Sequence, residues 1–538
     1  MLSHDAPEGG HAAIEAEVLI KDQTKPDYIT DARRINEMLD AHDEWLCSEG
    51  AAKKSFALRR GEYDLRAERD RLLFSCWGER GARVWRILSW ERAGEKLLLK
   101  VARRMNAEHA TLVLMPRASS VAYQQSLTDA RRALCDRLAA LASNTLGASG
   151  DLRIERASLS RGRRRGEPGR YARILLRGKN ESILFTAPVV ELHDAEADAF
   201  LASALLWFSR LNGRLPAKLC LAATRELATA VSERCALLRD ELRNLIRVYE
   251  TDDSCASLTL TPPIAMQELL ADAPPLLRPA RAHPSDWARQ IIELAPEAID
   301  VVRARRGETL RFHGLGFARV RRVMKKEFVW FGVRGITANH LLDENNFAEL
   351  LKLLDELKAH RRAEADDHAH ALYRAAPEAW LESLLRRRIT QLDPGLILSP
   401  LHAQFRLAPR RSESEAQVAT PSSAARPADL LALRNDGRLV LIELKVSEDV
   451  VLPLQAADYW RRVEAQRRCG NLQRIRLFDE KIIANEPSLV YTVAPTLRFH
   501  RQFATIARSI SPEIELYRFD INEDWRTGVR VMRRVRVN

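Results

Sequence analysis

Apolar and polar positions alternate through much of the first hundred residues. Period-two runs at 71–77, 81–90 and 96–101, separated by Gly-containing turns, predict strands, and one helix is predicted before them near 29–46. The spacing predicts a further helix over 128–142. A hairpin follows at 171–176 and 182–190, turning through Arg177-Gly178-Lys179-Asn180. Next come a helix at 195–211, a strand at 218–222, a helix at 225–244 and a strand at 246–250. A Pro-rich break at 272–284 marks a linker or domain crossing. Beyond it the pattern predicts a helix at 285–303, strands at 309–320 and 327–333, and a long helical stretch over 345–389. The last third repeats the earlier order: a hairpin at 428–433 and 438–445, a helix at 454–468, a strand at 489–493, a helix at 497–509 and a strand at 513–519.

Strand, strand, helix, strand, helix, strand thus occurs twice, which suggests an internal duplication at the level of fold. The bland alternative is that this order is common in α/β proteins. A chain of 538 residues is too long for one core. The expected organisation is a disordered start at 1–12, a β-rich domain at 13–120, an α/β domain at 121–271, a linker with an α+β segment at 272–376, and a C-terminal α/β domain at 377–538. A stretch rich in Ser, Ala and Glu at 412–425 should be a solvated loop.

Composition narrows the functional classes. Lys and Arg number 85 against 73 Asp and Glu, a net charge of +12 that suits a polyanionic partner such as nucleic acid. The seven cysteines are scattered with no Cys-x-x-Cys, so neither a zinc site nor a disulfide framework is indicated, and a reducing cytoplasm fits. The N-terminus has no signal-peptide core, and the longest apolar stretch, near 200–208, is too short to span a bilayer. No Walker A motif is present, so no ATP-driven motor is indicated.

The most informative segment is the last hairpin. Asp429 opens its first strand, Asn435-Asp436-Gly437 makes the turn, and Glu443-Leu444-Lys445 closes the second strand. Period-two alternation places Glu443 and Lys445 on one face, and the hairpin register lays Asp429 beside them. Two carboxylates and an ammonium in an apolar hairpin are costly to hold unless something binds there, and a divalent cation with a scissile phosphate fits that need.

These residues resemble the PD-(D/E)XK nuclease superfamily, the restriction-endonuclease-like fold, over about 377–520. The resemblance implies a mixed sheet flanked by helices, with Mg²⁺ or Mn²⁺ held by Asp429 and Glu443, and Lys445 assisting the attacking water. Gln455 and Tyr459 match the Gln-x-x-x-Tyr of a RecB-like subgroup. The family's helical glutamate falls on Glu382, with Glu378 as competitor. One departure is that Ala428 separates Pro427 from Asp429. The earlier copy carries no acid-x-Lys on its second strand, Ser182-Ile-Leu-Phe-Thr-Ala187, and so cannot share this chemistry.

Other signals are weaker. Arg163, Arg164, Arg165 and Arg170, in a basic loop, and Arg321, Arg322, Lys325 and Lys326 could grip phosphates, or could be solvated hairpin tips. His360, His368 and His370 with Asp366 and Asp367 suggest a metal cluster only superficially, since His368 and His370 would lie on different helix faces. His313-Gly-Leu-Gly316 reads as a turn. The sequence therefore predicts a multi-domain α/β protein acting as a metal-dependent nuclease, DNA rather than RNA being its partner, with no membrane association. A non-catalytic nucleic-acid-binding or assembly protein retaining the fold is the alternative, and a protein partner or homodimer is left open.

Overall fold

A computed structural model describes residues 28–49, 54–68, 71–76, 83–103, 108–147, 152–162, 168–210, 217–252, 255–276, 284–304, 307–323, 326–399 and 429–538. The predicted disordered start and the 412–425 loop lie outside the described residues. The protein is mixed α/β and multi-domain, and it divides into two compact units, Met1–Ser126 and Leu127–Asn538.

The first unit is β-rich. Seven antiparallel strands between Glu44 and Pro116 form one sheet. The helix Tyr28–Asp40 lays Ile35 and Leu39 onto its core with Trp45, Phe74, Trp85 and Leu99. The helix is shorter than the pattern predicted, because residues 44–49 are drawn into the sheet.

The second unit begins within a helix, Arg117–Leu146, much longer than the predicted 128–142. Its first lobe has six strands, β1 (Arg153–Arg161), β2 (Pro168–Arg177), β3 (Ser182–Pro188), β4 (Ala217–Ala223), β5 (Ile246–Thr251) and β6 (Leu258–Leu260). They lie side by side in chain order. Helix α1 (Ala197–Phe208) links β3 to β4, and α2 (Arg225–Cys235) links β4 to β5. A five-stranded antiparallel meander between Ile299 and Leu341 follows, packed against the helices Asp286–Glu293 and Phe347–His360.

The last lobe contains helix α3 (Pro377–Arg387), then β7 (Leu396–Leu398), β8 (Leu430–Arg434), β9 (Leu439–Leu444), β10 (Leu489–Pro495), β11 (Leu516–Ile521) and β12 (Val531–Arg536). Helix α4 (Leu452–Arg468) links β9 to β10, and α5 (Phe503–Ala507) links β10 to β11. Strand order and sense match the first lobe at every step: two antiparallel pairs, two parallel pairs, one antiparallel pair.

The two lobes share one core. Leu201, Leu219 and Val231 of the first are buried in the same apolar cluster as Leu441, Trp460 and Ile506 of the last. Leu238 and Ile510 form an antiparallel bridge, with Arg239 N donating to Ser509 O and Ser511 N to Leu237 O, each at 2.9 Å. Each of these residues lies three positions past the second helix of its lobe, Cys235 in one and Ala507 in the other. Like positions pairing in antiparallel fashion define a local two-fold axis between the lobes.

Several predicted helices are shorter, for local reasons. The 225–244 helix breaks after Cys235, where the chain joins the bridge just described. The 285–303 helix stops at Glu293 and Ile299–Ala304 becomes a strand of the meander. The 497–509 helix shrinks to a 3₁₀ turn at Thr496–Arg498 and α5. The long 345–389 helix is instead Phe347–His360, Ala371–Arg374 and α3. The cause is Arg361, 0% exposed, whose guanidinium donates to the carbonyls of Phe312, His313, Leu372, Ala375 and Ala376. That capture folds the chain into a turn. Ala376, at φ +40°, then redirects it, and Pro377 starts α3, where a missing N–H is harmless.

Candidate metal and active site

The site is built on the β8–β9 hairpin. Arg434 N donates to Arg438 O, and Gly437 takes φ +84°, the left-handed conformation that a short loop of this kind requires. The register follows: Leu433 faces Leu439 and Leu430 faces Ile442. One step further, Asp429 falls opposite Glu443. Asp429 Oδ2 accepts a hydrogen bond from Leu444 N at 2.8 Å, which pins the aspartate to the second strand. Lys445 Nζ lies 3.4 Å from Glu443 Oε1. Three of the predicted residues are therefore together on one sheet face.

Helix α4 supplies two more. Gln455 Nε2 donates to Glu443 Oε1 at 2.9 Å, with Tyr459 OH 3.4 Å from the same nitrogen. One turn apart, the two side chains share a face of the helix. Tyr459 is buried, and its phenol is pushed up to about 12 by burial and by the Glu443 charge. Its role beside Glu443 is thus that of a neutral hydroxyl.

The electrostatics of the carboxylates are unusual. Glu443 is 2% exposed, and its second oxygen, Oε2, is buried with no hydrogen-bond partner. Burial, and next the facing Asp429, raise its pKa well above the ordinary carboxylate range. Asp429 is pushed up to about 7, by burial first, with Glu382 and Glu378 adding to the rise against the Leu444 amide and Lys445. Burial pulls Lys445 down, but the charges of Glu443, Glu378 and Asp429 outweigh it and hold the ammonium above its usual pKa. The pair of acids therefore lacks positive charge despite the lysine. A buried carboxylate oxygen without a donor is what a hard cation would complete, so the residues present fit Mg²⁺ or Mn²⁺. Among the described residues no group of three or more His, Cys, Asp or Glu could hold a metal; Asp429 and Glu443 would be the carboxylate ligands, with water and substrate oxygens beside them.

Glu382, the expected helical glutamate, acts on Asp429 and is itself ion-paired. It pairs with Arg386 at 2.6 Å and Arg311 at 3.4 Å, two arginines that occupy its carboxylate. Glu378, one turn earlier on α3, acts electrostatically on Asp429, Glu443 and Lys445 alike. Both glutamates of α3 therefore bear on Asp429, Glu382 first, while Glu378 also bears on Glu443 and Lys445. Their helix is set by the His313–Gly316 turn: Gly314, at φ +80°, lies so close to the Ala379 carbonyl that a side chain there would collide with it.

The remaining predicted residues do not join this site. Arg163, Arg164, Arg165 and Lys325 lie outside the described residues. Arg170 is ion-paired with Glu196 at 2.6 Å, so its charge is already met. Arg321, Arg322 and Lys326 are exposed on neighbouring strands of the meander, and Arg321 lies over the Trp330 ring. His360 stacks on His370 and His368 on Tyr373.

No protein-family model matches the sequence, and no curated protein sequence matches it significantly. Among solved structures, the apo form of EndoMS aligns at 12% identity over 43% of this chain and 96% of its own, with a TM-score of 0.14. The EndoMS–dsDNA2 complex aligns at 11% identity over 42% and 95%, with a TM-score of 0.17. At such scores the likeness carries no argument about this chain. No described helix is long and apolar enough to cross a membrane.

Proposed function

We propose that the protein is a metal-dependent nuclease that hydrolyses phosphodiester bonds, with DNA as the first substrate to test. The observation that carries this is the facing pair Asp429 and Glu443. A buried Glu443 facing a partly buried Asp429 is hard to keep ionised at neutral pH without further positive charge, and among the described residues Glu443 Oε2 has no hydrogen-bond partner. A bound Mg²⁺ or Mn²⁺ would supply Lewis acidity toward the phosphate and a more acidic water.

The protein's own groups divide the remaining work. Asp429 is oriented by the Leu444 amide and Glu443 by Gln455, which restrains how each carboxylate is presented. Lys445 stays charged and can stabilise developing negative charge on the phosphate or orient the attacking water. Glu378 lies close enough to influence all three.

The test is purified protein with Mg²⁺, Mn²⁺ or EDTA against single-stranded, duplex, branched and covalently closed circular DNA, with RNA in parallel. Metal-dependent cleavage is expected, lost in Asp429→Asn and Lys445→Ala with nucleic-acid affinity retained. Cutting of the closed circle would mark an endonuclease. Undiminished cleavage by either variant would place the chemistry elsewhere. Binding without cleavage under every condition would favour the non-catalytic alternative.

A further inference from the structure

The matched topology of the two lobes allows residues to be compared place by place. In the last lobe, counting from the pair Leu433–Leu439 beside the turn, the fifth pair is Asp429 with Glu443. In the first lobe, counting from Arg177–Ser182, the fifth pair is Arg173 with Thr186. The faces agree. Tyr171 and Leu175 flank Arg173 in the shared core, as Leu431 and Leu433 lead up to Asp429. The register agrees across the next strands as well: Val490 faces Leu516 as Leu219 faces Ile246.

The side chains at these places have opposite chemistry. A guanidinium stands where the last lobe has its aspartate. Thr186 replaces the glutamate, and its hydroxyl is already spent on the Ala172 carbonyl at 2.7 Å. Lys445 is matched by Pro188, which has no donor. Helix α1 nevertheless meets this point as α4 meets the other. Arg173 Nη2 donates to Ser203 Oγ at 3.1 Å, and its guanidinium lies 5.7 Å from the Trp207 ring, one turn along. Gln455 and Tyr459, likewise one turn apart on α4, meet Glu443, the residue facing Asp429.

Arg173 is half-buried and, among the described residues, pairs with no carboxylate. Burial first, then the positive charge of Arg210, lowers its pKa, with Arg161 adding to that and the Tyr171 phenol opposing it. A partly desolvated guanidinium, held by a hydroxyl and an indole, with two exposed arginines beside it, lacks only an anion.

We propose that the first lobe binds a backbone phosphate of the nucleic acid at Arg173, in the place where the last lobe carries its acids. The assignment rests on the reading of the protein as acting on nucleic acid, but not on its cutting it. The site would bind without metal, and Arg161 and Arg210 would hold the neighbouring phosphates. It differs from the basic loop at 163–165 and from Arg170, whose charge Glu196 already meets.

The test is fluorescence anisotropy of the full chain with a labelled duplex oligonucleotide in EDTA, over a range of NaCl concentrations, so that no cleavage intervenes. Arg173→Gln, which removes the charge, should weaken binding about tenfold and reduce the slope of log affinity against log salt by about 0.9, the share of one phosphate. Arg173→Lys should keep most of that slope. Arg210→Gln, at an exposed position, should shift the slope the same way, while Arg177→Gln, whose charge is met by Glu155, should not. Thermal melts of each variant separate misfolding from lost contact. Wild-type affinity and slope in both Arg173→Gln and Arg210→Gln would overturn the proposal while leaving the nuclease reading intact. No binding of the wild type to any nucleic acid would overturn both. Absence of cleavage, with the Arg173 effect present, would overturn the nuclease reading alone.

Discussion

Arg234 of the first lobe donates to Asp458 of the last at 3.2 Å, and both side chains are nearly inaccessible to water. Asp458 also receives Arg461 at 2.7 Å, with Arg462 beside it, and Arg234 is shared with Asp198 at 3.2 Å. Burial opposes the charge on Asp458, but the three guanidiniums outweigh it and hold its carboxyl well below the usual range. This cluster joins α2 to α4 and so fixes the lobes to each other.

Removing one member leaves buried charge uncompensated. Asp458→Asn is expected to cost about 3–5 kcal/mol, read from the midpoint of urea unfolding. The depressed pKa also fixes a sign. Stability from Asp458 is present above the unfolded carboxylate pKa and is lost as pH falls toward the folded one. The gap between wild type and Asp458→Asn should therefore narrow in acid. A constant gap from neutral pH down to strong acid would contradict the assignment.

Asp429 predicts the opposite trend. Its folded pKa, about 7, lies above the ordinary aspartate value of 3.8, so the metal-free folded state holds a proton that the unfolded chain releases. Stability from this group is full below pH 4 and falls as pH rises through 7, by on the order of a few kcal/mol. In EDTA, wild type should lose stability relative to Asp429→Asn between about pH 4 and pH 7, the interval between the unfolded and folded pKa. Saturating Mg²⁺ should reverse the loss in wild type only. Parallel stability curves for the two proteins would show that this carboxyl titrates normally.

Glu378 and Glu382 should separate by readout. Glu378→Gln is expected to lower the cleavage rate about tenfold or more while leaving the melting temperature near wild type. Glu382→Gln should instead lower stability by about 1–3 kcal/mol, because Arg311 and Arg386 lose their shared carboxylate, with the rate per folded molecule retained. The reverse pattern would favour Glu382 as the helical acid of the site.

Arg361 should be among the costliest positions in the chain. Its guanidinium satisfies five backbone carbonyls and lies over Trp380 at 4.6 Å, and burial with the nearby Arg526 charge lowers its pKa to about 9. Arg361→Met is expected to destabilise by about 3 kcal/mol or more, since buried carbonyls lose their donors. Arg361→Lys should recover little of it, because an ammonium cannot span that fork. Chemical denaturation of the two variants checks both statements.

The hairpin site was legible because its information is local. Alternation fixes the face, Gly437 fixes the turn, and together they fix the register that brings Asp429, Glu443 and Lys445 together. The repeated element order was legible for the same reason, and both sheets carry it. What sequence reasoning missed depends on distant partners. The break in the 345–389 stretch comes from carbonyls on the Phe312–His313 turn reaching Arg361. The choice between Glu378 and Glu382 depends on Arg311, 71 residues from Glu382 in sequence. Arg173 carried no signal by itself. It stands out only when its pair is counted from the turn and compared with Asp429.

The bridge between Leu238 and Ile510 has one more consequence. Assemblies of identical subunits come apart on dilution, and any substitution appears in both halves at once. Here the two halves are one covalent chain, so their association is unimolecular and independent of protein concentration. Equivalent positions can also hold different residues, an arginine at 173 and an aspartate at 429. A symmetric frame can thereby carry unlike chemistry at like places.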